Sequence, residues 1–279
     1  MDRVSIVTIC LNEEKNIKQT LESVLEQTYT NIEYIIKDGE STDRTNEIIK
    51  QTLENYNGKE IKYIIQKDTG IYDAMNQAID FCTGDWVIFI NSGDSLSNNI
   101  IIERIFGNKD YTNVDVLYGD VFMCDAQEEC IWEADITKLP YKMPFSHQGC
   151  LIRTNLVKDE KFDTNYKIAA DFEMILNFYI RNCRFLYTNQ IISVFKLNGI
   201  SSTNFFNKEK EHYRVLKIHG ITNLTITLKY YVSLCIACIK NFIEKKFPCN
   251  IKAYLKTIYK FKMKQYCTKE EYYEKRCKE

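Results

Sequence analysis

From residue 4 to about residue 105 the chain alternates short β-branched apolar runs with stretches of helical spacing. No other feature limits the possible folds as strongly. The runs "VSIVTI" (4–9), "NIEYIIK" (31–37), "IKYIIQ" (61–66) and "DWVIFI" (85–90) read as strands. Between them lie "NEEKNIKQTLESVLEQ", "STDRTNEIIKQTLENY" and "GIYDAMNQAIDFC". The first places Ile17, Leu21, Val24 and Leu25 on one helical face, with Asn12 as N-cap and acids in the first turn; the second is capped by Ser41 or Thr42. Such alternation implies right-handed crossovers and a mostly parallel sheet with helices on both faces.

Ligands on sheets of this kind bind beyond the carboxyl ends of the strands. Polar residues gather after four consecutive ends: Asn12 and Glu13, Asp38 with Gly39, Asp68, and Asp94. One such cluster is a turn; four on one rim point to a site. Residues 110–200 change character, with shorter β-like runs ("VDVLYGDVFM", "QGCLIRT", "ISVFK") around one clear helix, "ADFEMILNFYIRN". This reads as an α+β half that completes the sheet and forms the second wall of a cleft.

The formal net charge of −1 argues against a nucleic-acid partner, but it is unevenly spread. Residues 221–264 carry +8, residues 265–279 balance, and the first 220 residues carry −9. The eleven cysteines, odd in number and irregular in spacing, read as reduced thiols at apolar positions of a cytoplasmic protein. Cys235 and Cys238 lack the second pair or histidines that a zinc site needs. The opening residues carry no secretory signal pattern. Only ten uncharged residues separate Lys229 from Lys240, too few for a membrane span.

The pieces "VSIVTICLNEEKNI", "IIKDGESTDRT", "KDTGIYDAMNQAI", "TGDWVIFINSGD", "PFSHQG" and "AADFEMIL" occur in an order and spacing that resembles the family-2 glycosyltransferases. These are inverting enzymes of GT-A fold, and the likeness is greatest to the branch associated with bacterial O-antigen, capsule and exopolysaccharide assembly. It covers about residues 3–200. The fold it implies is a Rossmann-like, mostly parallel mixed sheet flanked by helices, with a C-terminal helical extension. Residues 1–220 would form the GT-A domain (1–105 the nucleotide-sugar half, 106–220 the acceptor and catalytic half), and 221–279 a basic amphipathic tail.

The resemblance also implies roles. In the "NSGD" stretch Asp94 fills the second place of the family's D-x-D motif, which holds Mg2+ or Mn2+ on the donor diphosphate, and Ser92 fills the first. Leu11, Glu13, Asp38, Asp68 and Asn76 match positions that contact the nucleotide sugar; Leu11 stands where many relatives carry an aromatic. Asp171 matches the general base, with Ala170 replacing the usual acidic neighbour. A carboxylate is needed there because the acceptor hydroxyl must lose its proton as it attacks. His147 and Gln148 match a pair found near the acceptor or the diphosphate. Each has a plain alternative: turn residues at Asp38 and Asp94, a surface residue at Asn76, a helix N-cap at Asp171, a hydrogen-bonded structural histidine at His147. "LNGISST" (197–203) reads as a lid or an ordinary turn.

In "NIKAYLKTIYKFKMK", helical geometry gathers Lys252, Lys256, Lys260 and Lys264 within about 120°, opposite Ile251, Tyr254, Leu255, Ile258 and Tyr259. This is the pattern of an interfacial helix on anionic lipid, and equally of a helical pair packed on the acidic body. The expected protein is a metal-dependent cytoplasmic enzyme, peripheral at the inner membrane through residues 221–264. It would move a sugar from a nucleotide-sugar donor to a saccharide or lipid-linked saccharide acceptor. The residues leave two rivals. A sugar-1-phosphate nucleotidyltransferase would want a glycine-rich basic loop where "CLNEEKN" stands. A degenerate homologue serving as a scaffold would tolerate Ser92 and Ala170.

Overall fold

The computed structural model describes residues 1–54, 56–124, 129–196, 205–246 and 266–267. Its first half realises the alternation. Strands β1 (Val4–Cys10), β2 (Ile32–Asp38), β3 (Glu60–Ile65) and β4 (Trp86–Phe89) are separated by helices α1 (Ile17–Leu25), α2 (Thr45–Leu53) and α3 (Ile71–Ile79). They lie parallel in the order β3–β2–β1–β4, with Cys10 opposite Asp38 and Asp38 opposite Ile65. The carboxyl ends of these strands therefore share one rim.

Every residue of β1, β2 and β4 is buried, as expected of strands covered on both faces. Val4 and Ile6 pack with Trp86, Ile88 and α1 on one face. Val7 and Ile9 pack with Val87, Phe89, α3 and the later helix α6 on the other. Each fully buried aliphatic side chain contributes about 1.5–3 kcal/mol, so polar residues are tolerated mainly where the strands end.

The second half adds β5 (Ser95–Leu96), α4 (Ile101–Phe106), β6 (Val116–Cys124), β7 (Glu129–Trp132), β8 (Cys150–Arg153), α5 (Thr154–Glu160), α6 (Ala170–Ile180) and β9 (Phe185–Lys196). β8 runs antiparallel to both β4 and β6, β7 runs antiparallel to β6, and β9 pairs parallel with β6 and antiparallel with β5. The result is the expected Rossmann-like mixed sheet. Helices α7 (Phe205–Ile218) and α8 (Leu224–Lys246) form a C-terminal helical extension, and β10 (Tyr266–Cys267) pairs with β7.

Three local expectations need correction. Asn12 does not cap α1, which begins only at Ile17 and has no acid in its first turn. Asn12 has φ +55°; its N–H donates to Ser41 Oγ (2.8 Å) and its Oδ1 accepts from the Thr42 N–H (2.8 Å). It thus stitches the loop after β1 to the loop after β2. Neither Ser41 nor Thr42 caps α2; Asp43 accepts from the Thr45 N–H at 2.9 Å instead. Cys235 and Cys238 are exposed on α8, whereas Cys10, Cys82, Cys130 and Cys150 fill buried positions. Residues 197–203 and the lysine face of 250–264 lie outside the described residues.

Candidate active site

The loop after β4 is the centre of the site. Gly93 has φ +98°, a left-handed conformation that a side chain would strain. The buried Thr20 hydroxyl of α1 accepts from the Gly93 N–H (3.0 Å) and donates to the Asp94 carbonyl (2.7 Å). This clamp turns the Asp94 side chain inward, where it is 6% exposed. Its Oδ2 accepts from Gln148 Nε2 (3.0 Å) and its Oδ1 from the Lys196 N–H at the end of β9 (3.2 Å). Burial pushes its pKa up to about 6, against the pull of these two donors and of His147 and Lys196.

On the same turn Ser92 Oγ and Asn91 Oδ1 are buried and have no hydrogen-bond partner among the described residues. Buried polar atoms are rarely left so. With Asp94 they supply three hard oxygen donors from one turn, the kind Mg2+ or Mn2+ takes while keeping phosphate and water ligands. The residues present therefore fit a divalent cation with a single protein carboxylate. No cluster of three or more His, Cys, Asp or Glu occurs among the described residues.

Asp171 lies in the first turn of α6. It is not the N-cap; Ala169 holds that position and makes no side-chain cap. Its Oδ1 accepts from its neighbour's N–H at Phe172 (2.8 Å) and lies 3.3 Å from the Tyr72 hydroxyl of α3, whose proton goes to the Ile168 carbonyl (2.8 Å). His147 Nδ1 lies 3.6 Å from Oδ2. Desolvation works to raise the Asp171 pKa, but the interaction with His147, joined by the Phe172 N–H, outweighs it and holds the carboxylate below its ordinary value.

Asp94 and Asp171 are tied together by one short turn. His147 and Gln148 are adjacent in a single 3-10 turn (His147–Gly149) that leads into β8. His147 faces Asp171 through Nδ1 and Asn91 Nδ2 through Nε2 (3.4 Å). The contact with Asn91 takes up Nε2 and leaves Nδ1 turned toward Asp171. Gln148, its carbonyl held by the Ser146 hydroxyl, turns its amide N–H to Asp94. A chain of polar contacts thus joins the loop after β4 to the head of α6.

The expected nucleotide positions divide. Leu11, 51% exposed, stands at the end of β1. A Cβ on Gly39 would come within 2.7 Å of Asp68 Oδ2 and 3.3 Å of Leu11 Cδ1, so Leu11, Gly39 and Asp68 border one narrow slot. Asp68 pairs with the buried Lys37. Asp38, the residue before Gly39, is fully buried, its Oδ1 accepting from the Ser41 N–H (2.6 Å) and its Oδ2 from the Cys10 thiol (3.4 Å). Glu13 accepts from Asn16 Nδ2 (2.9 Å), and Asn16 is the residue that a side chain at Gly93 would approach, at 4.0 Å. Asn76 instead spends both ends of its amide on the Phe162 backbone, tying α3 to the segment before α6 (both 2.8 Å). Sequence reading missed Thr20, Lys37, Tyr72 and Asn91. Lys37 carried a signal, since a charge inside an otherwise apolar strand requires a partner.

The chain matches the family model described as glycosyl transferase family 2 over residues 5–164, more than half its length. It belongs to that family. It is similar to a PGL/p-HBAD biosynthesis glycosyltransferase of Mycobacterium tuberculosis, at 30% identity over 173 residues, which are 61% of this chain and 66% of that relative. A dolichyl N-acetyl-alpha-D-glucosaminyl phosphate 3-beta-D-2,3-diacetamido-2,3-dideoxy-beta-D-glucuronosyltransferase of Methanococcus voltae is 29% identical over 245 residues, 78% of this chain and 73% of the relative. Among solved structures, the mannosyltransferase PcManGT of Pyrobaculum calidifontis, in complex with GDP-Man and Mn2+, shares the fold. Its TM-score is 0.65 at 13% identity, covering 93% of this chain and 80% of that one.

Proposed function

We propose that this family-2 glycosyltransferase transfers a sugar, with inversion, from a nucleotide-sugar donor to a saccharide acceptor in surface-polysaccharide synthesis. The observation that carries the reading is the His147–Gln148 turn, which joins Asp94 to Asp171. The two similar relatives, a PGL/p-HBAD biosynthesis glycosyltransferase and a glucuronosyltransferase named for a dolichyl N-acetyl-alpha-D-glucosaminyl phosphate, support the substrate class.

In this reading the nucleoside lies in the slot of Leu11, Asp38 and Asp68, beside Glu13, and the diphosphate lies over residues 91–94. Asp94, with Ser92, would hold Mg2+ or Mn2+, whose chemistry there is to neutralise charge on the departing diphosphate. The acceptor hydroxyl attacks the anomeric carbon from the face opposite the diphosphate. As its oxygen–carbon bond forms and the carbon–oxygen bond to phosphate breaks, the hydroxyl proton passes to Asp171. His147 keeps Asp171 ionised and oriented to receive it, and Gln148 fixes the Asp94 carboxylate.

The acceptor is lipid-linked and is met at the inner face of the membrane. Support comes from α8, where Leu224, Leu228, Tyr231, Val232 and Ile236 stand exposed at helical spacing, within a segment whose charge is +8. No helix among the described residues is long and apolar enough to cross a membrane.

Calorimetry with UDP in the presence and absence of Mn2+, followed by a hydrolysis screen over UDP-, GDP- and dTDP-sugars, tests the assignment. Metal-dependent nucleotide binding and slow hydrolysis of one donor are expected. Absence of nucleotide binding under every condition would leave the scaffold reading in its place.

A further inference from the structure

We propose that α7, a helix outside the 5–164 stretch that marks the family, sets the position of Asp171, with Glu211 as the anchor and His212 as a wedge. The inference rests on Asp171 being the general base.

Helix α6 presents Asp171 in its first turn but has no cap of its own, since Ala169 cannot accept a hydrogen bond through its side chain. The N–H groups before the helix are satisfied from outside. The Lys167 N–H reaches both oxygens of Glu211 (3.0 Å each), and the Ile168 and Ala169 N–H groups reach Oε2 (2.7 and 3.0 Å). Three successive N–H groups converging on one carboxylate make an anion nest, here filled by a residue more than 40 positions later in the chain. Bonds from N–H groups to a charged acceptor are among the stronger ones.

The next residue works from the other side of Asp171. His212 stacks on Phe172, ring centres 4.5 Å apart and planes 17° apart. Packing around the imidazole, with Lys208 nearby, pushes its pKa down to about 3, so it serves as a neutral aromatic plate. Two consecutive residues of α7 thus hold the backbone just before Asp171 and the ring just after it. Tyr72 completes the brace, its hydroxyl donating to the Ile168 carbonyl at 2.8 Å and facing Asp171 Oδ1. A base held this way stays put while the acceptor binds. Displacing it by about 1 Å is enough to cost on the order of 100-fold in rate. Glu211 and His212 are positioning residues; nothing here has them touch substrate.

The test uses the full chain and four variants: Glu211→Gln, His212→Ala, Asp171→Asn, and Glu211→Gln with Asp171→Asn. The donor is the sugar nucleotide turned over in the hydrolysis screen, and UDP with Mn2+ is the binding probe. Glu211→Gln is expected to lower kcat about 10- to 100-fold, with donor KM and UDP affinity within about two-fold of wild type. In the Asp171→Asn background the same change is expected to do nothing further, because Glu211 acts only through that carboxylate. The chain has three histidines, so imidazole NMR gives a readout free of turnover. Glu211→Gln should move the His147 resonances in the direction Asp171→Asn moves them. His212→Ala, which leaves the Glu211 grip intact, should shift kcat and the His147 resonances in the same sense, and decides the matter if Glu211→Gln does not fold. Wild-type kcat and an unmoved His147 in these variants, with Asp171→Asn inactive, would overturn the proposal and leave the base assignment standing. An equal loss in the presence and absence of the Asp171 carboxylate would also overturn it. Activity retained by Asp171→Asn itself would instead remove the base assignment beneath it.

Discussion

Asp94 is a carboxylate that the fold holds at a cost. Burial raises its pKa from 3.8 to about 6. The sign follows from linkage: above pH 6 the native state must keep a buried charge that the unfolded chain carries in water. At about 1.36 kcal/mol per pKa unit, the penalty at pH 8 is about 3 kcal/mol. It fades as pH falls, because the native carboxyl takes up its proton first, and is about 0.5 kcal/mol at pH 4. Asp94→Asn removes the charge and keeps the shape, but sets one amide N–H against Gln148 Nε2, at a loss of about 1 kcal/mol. The variant should therefore be more stable than wild type by about 2 kcal/mol at pH 8, worth about 4–8 °C in Tm for a chain approaching this size. The gain should vanish or reverse by pH 4. Urea unfolding in EDTA, followed by tryptophan fluorescence, measures it. Added Mn2+ should raise the midpoint of wild type and leave that of the variant unchanged. If Asp94→Asn is less stable than wild type at pH 8 without metal, the carboxylate is structural glue and the reasoning fails.

Other expectations follow from the same geometry. Asp171→Asn should fold and bind UDP with Mn2+ normally while losing about 100- to 10,000-fold in transfer; near-normal turnover in a radiolabelled-sugar assay would exclude it as the base. Glu33, fully buried near the opposite end of β2, accepts from Ser5 Oγ (2.5 Å), the Thr83 and Gly84 N–H groups (2.5 and 2.7 Å), and Lys62 (3.0 Å). Burial alone would raise its pKa, but these bonds lower it from 4.5 to about 2. They contribute about 3 kcal/mol above pH 4.5, lost as pH falls toward 2. Glu33→Gln should cost about that much in urea unfolding at pH 7 and less than half of it at pH 3; a pH-independent difference would contradict the network. Vesicles of anionic lipid should co-sediment the full chain at low salt and lose it when residues 221–279 are removed, whereas equal sedimentation of both forms would remove the membrane role from this segment.

The parallel half of the fold was legible because β1, β2 and β4 are buried on both faces and read as short β-branched, largely apolar runs. The polar ends of those runs marked the rim for the same reason. Helix starts were harder. Asn12 has the residue type of a cap, yet its left-handed backbone commits it to the loop at Ser41 and Thr42; local propensity gave way to a tertiary contact. The run "ISVFK" showed only the end of β9, whose first half is half-exposed or exposed throughout and is held by pairing with β6. His147 and Gln148 were found through resemblance, but their bridging of Asp94 and Asp171 exists only in three dimensions. Glu211 gave no local sign at all. Its partners are backbone N–H groups more than 40 residues away, and backbone donors leave no trace in residue type.

The most direct measurement is a crystal structure of the protein with UDP and Mn2+. The account predicts the cation bonded to Asp94, the diphosphate over residues 91–94, the uracil against Leu11 and Asp38, and open space between the terminal phosphate and Asp171 wide enough for one sugar ring. A nucleotide bound elsewhere, a cation with no bond to Asp94, or an Asp171 walled off from the phosphate by packed side chains would contradict it.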